Sequence, residues 1–320
     1  MNGNAQIETS PGFWPDTVAC WQRLPNKLFF FLLLLAWLAL FHFLGNSILG
    51  YVHSSSLFVW LNYDYSLPES DDAHGPLIPF IVIGLFWWKR KELLALPLQI
   101  WWPGLLLFAL AVLLHLVGFV TQHPQLSVVA MFAGIFSLMG LAWGRAWLVK
   151  SIFPFWLFGF CVPLAALTTV ITFPLRLIVT WLVAGAANLL TIHVVREGTQ
   201  LLSPDGSFQY DVVAACSGMH SLVAIFLLAT VYGFVMFRSP GKRILLMALA
   251  LPLSILGNFT RLMCVVFAAE IGGQSMGNFV HNNWFFSLVP YIPAIAGLLL
   301  AGRWLENKTA RANPAAAETK

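Results

Sequence analysis

Charge is what this chain of 320 residues has least of: Asp, Glu, Lys and Arg together make up 9% of it. A soluble domain needs a polar shell. A sequence that is 59% hydrophobic, with a mean hydropathy of +0.80, lacks the residues to build one. The composition is that of an integral membrane protein, and the repeated apolar runs leave no room for a second globular domain. Cysteine is scarce as well. Cys20, Cys161, Cys216 and Cys264 are scattered without paired spacing, which argues against a disulfide framework and against a zinc site. Neither Ser217 nor Ser221 occupies the G-x-S-x-G corner that would mark it as a nucleophile. The net charge of +4 carries no suggestion of nucleic acid, because the basic residues cluster beside the apolar runs.

What is there is a succession of apolar runs. A polar head, 1–27, ends in Arg23 and Lys27, and the run after it lacks a small-residue cleavage site, so it is expected to remain as an anchor. Spans are expected over about 28–50, 77–88, 98–120, 126–149, 152–173, 219–237, 244–268 and 285–300. The second is short: at 1.5 Å per residue it covers roughly 18 Å of a hydrocarbon core about 30 Å thick. His74 and Gly75, which precede it, should therefore sit below the outer surface. A ninth run, 175–195, contains Arg176, Asn188, Thr191 and His193. Counted as a span it would put Arg238, Lys242, Arg243, Arg303 and Lys308 on the wrong side of the positive-inside rule. Laid in the outer interface, or re-entering from it, it leaves only Arg176, Arg196 and Arg261 of the 17 Lys and Arg outside. The expected fold is thus an all-α polytopic membrane protein of about eight transmembrane helices with a small outer β-hairpin at 194–213. Its domains are a cytoplasmic head 1–27, a multi-span domain 28–304 and a cytoplasmic tail 305–320. Ser203-Pro204-Asp205-Gly206 supplies the hairpin turn.

The stretch Ser207 to Leu222, SFQYDVVAACSGMHSL, carries the chemistry. Phe208, Tyr210 and Val212 alternate with Ser207, Gln209 and Asp211, the period of a half-buried strand. From Met219 onward the chain is apolar enough to cross a bilayer. A strand feeding a membrane helix through Cys216-Ser217-Gly218 presents a thiol at a helix N-terminus, where the partial positive charge favours the thiolate. Taken alone, Cys216 reads first as a small core hydrophobe, and only its surroundings favour the catalytic reading. Arg261 lies toward the outer end of the seventh span. A Gly-rich loop, GGQSMGN, leads to His281, which opens the eighth, and His74 precedes the second. All three lie on the same side. An Arg within a span is costly and should face a cavity or a partner, although at a helix end it can also snorkel to the headgroups. His281 can likewise be an interfacial His beside Trp284. Together they suit acyl transfer on a thiol. Cys216 is the nucleophile, His281 shuttles the proton, and Arg261 steadies the tetrahedral oxyanion or an acidic group of the substrate. Asn258, one turn before Arg261, can orient it or the substrate. Cys216 and His220 stand at i, i+4, a metal-ligand spacing, but two ligands do not make a site, and no metal or other cofactor is expected.

AACSGMHSL, then GNFTRL, then VHNNW, in that order on successive membrane helices, resembles the exosortase/archaeosortase family of membrane transpeptidases. The resemblance runs from about His74 to Trp304. It includes DDAHGPLIP, FPFWLFGFCVP and REGTQLLSPDG. It implies a catalytic Cys216, Arg261 and His281. Around them His74, Asn258, Ser217, His220 and Asn282 are expected to bind substrate or support the catalytic groups. The implied activity is that of a membrane-embedded cysteine protease/transpeptidase. It cleaves a C-terminal sorting signal of exported proteins, made of a short motif (Pro-Glu-Pro in the best-known class), a membrane helix and a basic cluster. A thioester forms, and the protein passes to a cell-envelope acceptor, often alongside exopolysaccharide export. The implied location is the bacterial cytoplasmic membrane with the site on its outer side. Met219 stands where Leu or Ile is commoner in the family, which leaves the subfamily open.

Three other classes compete. A transporter or channel lined by Arg261, His281 and His74 would favour internal repeats and broken helices in matching halves, and no convincing repeat is present. An intramembrane protease with water as acceptor differs only in the second half-reaction. A scaffold would tolerate replacement of Cys216 by Ser.

Overall fold

The computed structural model describes residues 13–67, 72–163, 165–211, 219–288 and 291–312. It falls into two compact units, Met1–Leu164 and Ala165–Lys320.

The first unit is helical among its described residues. Helix α1 (Phe13–Arg23) leads into α2 (Lys27–Leu44), followed by the short α3 (Leu57–Tyr65). A 3₁₀ turn (Gly75–Leu77) runs directly into α4 (Ile78–Trp88), and α5 (Arg90–Leu94) follows. Helices α6 (Pro103–Val120) and α7 (Pro124–Trp143) form a hairpin, each opened by a proline whose missing N–H costs nothing in the first turn. Helix α7 is the most enclosed, with α2 and α6 packed on it. Large rings fill the contact: Phe30, Trp37, Phe41, Trp143 and Trp147 are all buried. Two of the indoles are satisfied at their polar edge: Trp37 Nε1 donates to the Met131 carbonyl at 2.9 Å and Trp143 Nε1 to that of Pro25 at 2.9 Å, whereas Trp147 Nε1 is buried with no hydrogen-bond partner among the described residues.

Helix α7 stops at Trp143, short of the expected 149. Gly144 has φ +100°, a backbone that residues with a Cβ rarely adopt, and the chain redirects there into α8 (Arg145–Trp156). A 3₁₀ segment, Leu157–Cys161, extends α8. The expected fifth span, 152–173, is therefore mis-set at both ends.

The second unit opens with α9 (Ala165–Leu189), whose 25 residues run through Pro174. The break expected between 173 and 175 does not occur there, because a proline within an apolar helix is tolerated where neighbours repair the lost bond. Three short strands follow in place of a two-stranded hairpin. They are β1 (Val195–Glu197), β2 (Gln200–Leu202) and β3 (Gln209–Asp211), antiparallel in that order, with Val195 opposite Leu202 and Leu201 opposite Tyr210. Alternation holds as expected: Leu201, Phe208 and Tyr210 are buried, and Ser207 and Gln209 are not. The expected turn is also present, with Gly206 N–H on the Ser203 carbonyl at 3.0 Å. Then come α10 (Met219–Met236), α11 (Pro240–Asn282), α12 (Trp284–Leu288) and α13 (Ile292–Ala312).

Among the described residues, four helices are long and apolar enough to cross a membrane: Lys27–Leu44, Pro103–Val120, Pro124–Trp143 and Pro240–Asn282. Shorter apolar helices cover Gly75–Trp88, Phe173–Leu189 and Leu222–Met236. The chain is a multi-pass, mostly helical membrane protein with one small sheet.

Candidate active site

The second unit builds its polar centre on a helix that folds back on itself. Gly272 (φ −127°, ψ 17°) and Gly273 (φ 68°, ψ −170°) leave helical geometry inside α11. The φ of Gly273 lies where a side chain is strained, so this pair is what permits the break. A Cβ added to Gly277 would lie 3.0 Å from the Cβ of Ala269. Eight residues of unbroken helix would separate those levels by about 12 Å. The limb 274–282 therefore turns back against the helix that precedes it. The stretch expected as a Gly-rich loop is in fact helix on both sides of a sharp corner.

Arg261 lies on the long limb and His281 on the returning one. In a straight helix they would be about 30 Å apart. Here the residue after Arg261, Leu262, and the residue before His281, Val280, belong to one apolar cluster, with Met263, Val265, Val266, Ala269 and the sheet residues Leu201, Phe208 and Tyr210. Asn258 is buried one turn before Arg261, and Ser254 is buried one turn earlier still, its hydroxyl donating to the Leu251 carbonyl at 2.8 Å. Ser254, Asn258 and Arg261 share a face at i, i+4, i+7. Ser254 was not singled out from sequence, although that spacing is readable there.

His281 has a defined orientation. Its Nδ1 lies 2.8 Å from Asn282 Oδ1, the acceptor end of the amide. In the tautomer protonated at Nδ1, this nitrogen donates to the Asn282 oxygen. Beside it, Ser275, Asn278, Phe279, Asn282 and Asn283 line a cavity of about 350 Å³. Ser275 belongs to Gly273-Gln274-Ser275-Met276-Gly277, a G-x-S-x-G spacing that neither Ser217 nor Ser221 has. The spacing alone is not the nucleophile corner. That corner needs a strand running into a helix, and here a helix precedes the turn.

Strand β3 is tied to the returning limb. Gln274 Oε1 accepts from Gln209 N–H at 2.7 Å, Gln274 Nε2 donates to the Gln209 carbonyl at 3.2 Å, and Tyr210 Oη donates to the Gln274 carbonyl at 3.2 Å. Tyr210 also sits against Gly277. So the strand that leads toward Cys216 is clamped to the limb that carries His281. Cys216 and Ser217 lie outside the described residues, five and six positions after Asp211. His220 falls in the first turn of α10, and its side chain lies outside the described residues.

His74 belongs to the first unit. It is half-buried at the start of the 3₁₀ turn, where its carbonyl accepts from Leu77 N–H at 3.0 Å and its ring lies 6.3 Å from that of Phe160. The Asp72 carbonyl accepts from Gly75 N–H at 2.8 Å, and Asp72 is buried. Tyr65 Oη donates to the Cys161 carbonyl, tying the end of α3 to the 3₁₀ segment. Burial pushes the Tyr65 hydroxyl above its ordinary range, and Cys161, Asp72 and Asp64 add to the shift. Tyr65 carries no motif, which is why sequence alone did not single it out.

A family model described as transmembrane exosortase matches residues 60–296. No curated protein and no solved structure matches the chain. The matched stretch covers about three quarters of the sequence and contains every candidate site residue from His74 to Asn282.

Proposed function

The chain belongs to the transmembrane exosortase family, and from that membership we propose that it is a cysteine transpeptidase that cleaves a C-terminal sorting signal of exported proteins and passes them to an envelope acceptor. The observation that carries the reading is the folded α11: its corner puts Arg261 and His281 on two limbs of one apolar cluster, with the strand before Cys216 clamped to the second limb.

The reaction follows from those residues. The Cys216 thiolate attacks the scissile carbonyl carbon, and the oxygen takes the negative charge facing Arg261, which stays protonated throughout. His281 Nε2 receives the thiol proton and returns it to the departing amine as the C–N bond breaks. The tautomer this requires is the one in which Nδ1–H donates to Asn282 Oδ1. A thioester remains on Cys216 until an acceptor nucleophile displaces it and the thiolate is restored. His74 is assigned to substrate binding. Ser217, His220 and Asn258 are assigned to support of the corner and of Arg261. The substrates are exported proteins that end in a short motif, a membrane helix and a basic cluster, as the family resemblance implies.

The topology that suits this has eight crossings, both termini in the cytoplasm and the sheet outside the inner membrane. The 3₁₀-extended α8 supplies the fifth crossing. Phe155 packs on Phe136 at 4.9 Å and Phe158 on Phe132 at 4.2 Å, so α8 climbs α7 from its basic end. Helix α9 then lies at the outer interface.

Co-expression with a reporter carrying a candidate signal tests the chemistry. With the acceptor step blocked, a conjugate larger than the enzyme should accumulate and be released by neutral hydroxylamine. Cys216→Ala should remove the conjugate without changing membrane insertion, and Ser275→Ala should leave it. Cleavage that persists in Cys216→Ala would sink the reading.

A further inference from the structure

Three carboxamides form a column on the returning limb of α11. Gln274, Asn278 and Asn282 stand four residues apart, so they share a helix face at intervals of about 6 Å. The first already holds an extended backbone. Gln274 takes both the N–H and the carbonyl of Gln209, filling the place of a next strand on β3, which is last in the sheet. This contact fixes the amide that follows. Gln274 Oε1 accepts from a backbone N–H, so its Nε2 is the donor toward Asn278 Oδ1 at 3.1 Å, and the Asn278 NH₂ group is left over. Asn283 is fixed in the same way: its Oδ1 accepts from Phe285 N–H at 3.0 Å and its NH₂ group is left over. In the tautomer that the mechanism uses, Asn282 Oδ1 accepts from His281 Nδ1 and a third NH₂ group remains. All three asparagines line the cavity of about 350 Å³ with Ser275 and Phe279, and no charged side chain is among the described residues that line it. The cavity beside His281 is thus rich in neutral donors, with its amide oxygens already engaged.

We propose that this column is a ladder for the main chain of the substrate: the extended segment beside the scissile bond lies along the limb, and Asn278, Asn282 and Asn283 donate to its carbonyl oxygens. The proposal rests on the transpeptidase reading, because it gives the cavity beside His281 to the chain being cut. Spacing supports it. Carbonyls on one edge of an extended chain repeat every two residues, about 6.7 Å, against about 6 Å along the column. Rotation of an asparagine side chain spans that difference. Charge narrows the ligand. A carboxylate or phosphate is best met by a guanidinium or ammonium group, whereas neutral amide donors suit neutral carbonyls. Gln274 shows the same chemistry within the chain, one carboxamide on one extended peptide. Every residue type offers a carbonyl, so the ladder supplies affinity and register and leaves the choice of sequence to other contacts.

The test uses the full chain in nanodiscs, with the purified reporter and its candidate C-terminal signal as the probe. Asn278→Asp keeps the oxygen that Gln274 needs, and Asn283→Asp keeps the one that Phe285 N–H needs. Each substitution turns the remaining donor into an acceptor at nearly constant shape. Each should raise KM for the reporter about tenfold, with kcat and the thermal midpoint unchanged, as loss of uniform binding requires. Asn282 is left unaltered because it also touches His281. Converting the acidic side chains of the signal to amides should leave the ratio of variant to unaltered KM at about ten. A ratio that collapses on that change would assign the cavity to a side-chain carboxylate and overturn the ladder. Cleavage by the unaltered enzyme with KM the same in both variants would overturn the ladder alone and leave the transpeptidase reading standing, as would a fall in kcat with KM fixed. Cleavage that persists in Cys216→Ala would remove both.

Discussion

In the first unit the buried surface is carried by large rings: Phe30, Trp37, Phe41, Trp60, Trp143 and Trp147 interlock around α7. In the second it is carried by Val179, Val183, Ala184, Ala187, Val265, Val266 and Ala269, with the rings of Phe208 and Tyr210 contributed by the sheet. Large rings fill space with few rotatable bonds, and Trp37 and Trp143 are also anchored through their indole N–H groups, so they fix helices at set distances. Small side chains let backbones approach, which is the common way to pack helices in a membrane. That close approach is what allows α11 to fold back with Gly277 against Ala269 and Tyr210. The difference suggests a division of labour, with shape held by the first unit and chemistry by the second. It can be tested by asking whether substitutions in the two units fail in different ways.

The largest effect is expected at His281. His281→Ala should slow formation of the thioester by about 10²–10⁴-fold, the usual worth of a general acid–base group, with the thermal midpoint unchanged. His74→Ala, in the first unit, should weaken processing only in part. The reverse ranking in a reporter cleavage assay would exchange their roles.

Next is Trp37→Ala. It removes a buried ring and leaves the Met131 carbonyl without its indole donor. Unfolding in a denaturing detergent titration should show a loss of about 3–5 kcal/mol, while the fraction still folded cleaves at the normal rate. A rate loss that exceeds the loss of folded protein would join the two units functionally.

A smaller stability effect, about 1–2 kcal/mol, is expected for Gly273→Ala, because the corner needs a positive φ. Its activity loss should exceed its stability loss, since the corner sets the relation of His281 to Arg261. Equal losses would reduce the break to a packing detail.

These particular residues also show what a single sequence discloses. The membrane class, the shortness of α4, the alternation at 207–210 and the turn at 203–206 all follow from local patterns, and all are present. Helix limits fared worse. Pro174 looked like a boundary and sits inside α9, whereas Gly144 looked like helix interior and ends α7. Both outcomes are set by neighbouring helices, which a one-dimensional pattern does not contain. The same holds for 272–281, where glycine content suggested a loop and the structure has two helical limbs and a corner. Arg261 and His281 were singled out by charge and position. The clamp between Gln209, Tyr210 and Gln274 was not, because glutamine side-chain pairing across 65 residues leaves no local trace. Cys216, on which the chemistry depends, lies outside the described residues.

The smallest effect concerns the turn between β2 and β3, the part of the second unit that large or small core side chains should least affect. Asp205 Oδ1 accepts from the Ser203 hydroxyl and from Ser207 N–H, the latter at 3.0 Å. The Ser203 hydroxyl, followed by the bonds from Ser207, holds this carboxyl below its ordinary range, pushed down to about 2. A depressed carboxylate pKa means that the folded turn prefers the ionised form. The stabilisation is therefore fully present above the ordinary carboxylate range near pH 4 and is lost as pH falls through about 2. Amide exchange at Gly206 and Ser207 should speed up over that window once corrected for intrinsic rates, while amides of α11 near Val265 remain protected. Asp205→Asn keeps an oxygen for Ser207 N–H but removes the charge, so its exchange should be slightly faster at neutral pH and flat across the window. If instead the α11 amides open in step with the turn, the clamp through Gln209 and Gln274 transmits further than its three hydrogen bonds suggest. Sheet and helix would then unfold as one piece, and the turn would belong to the site.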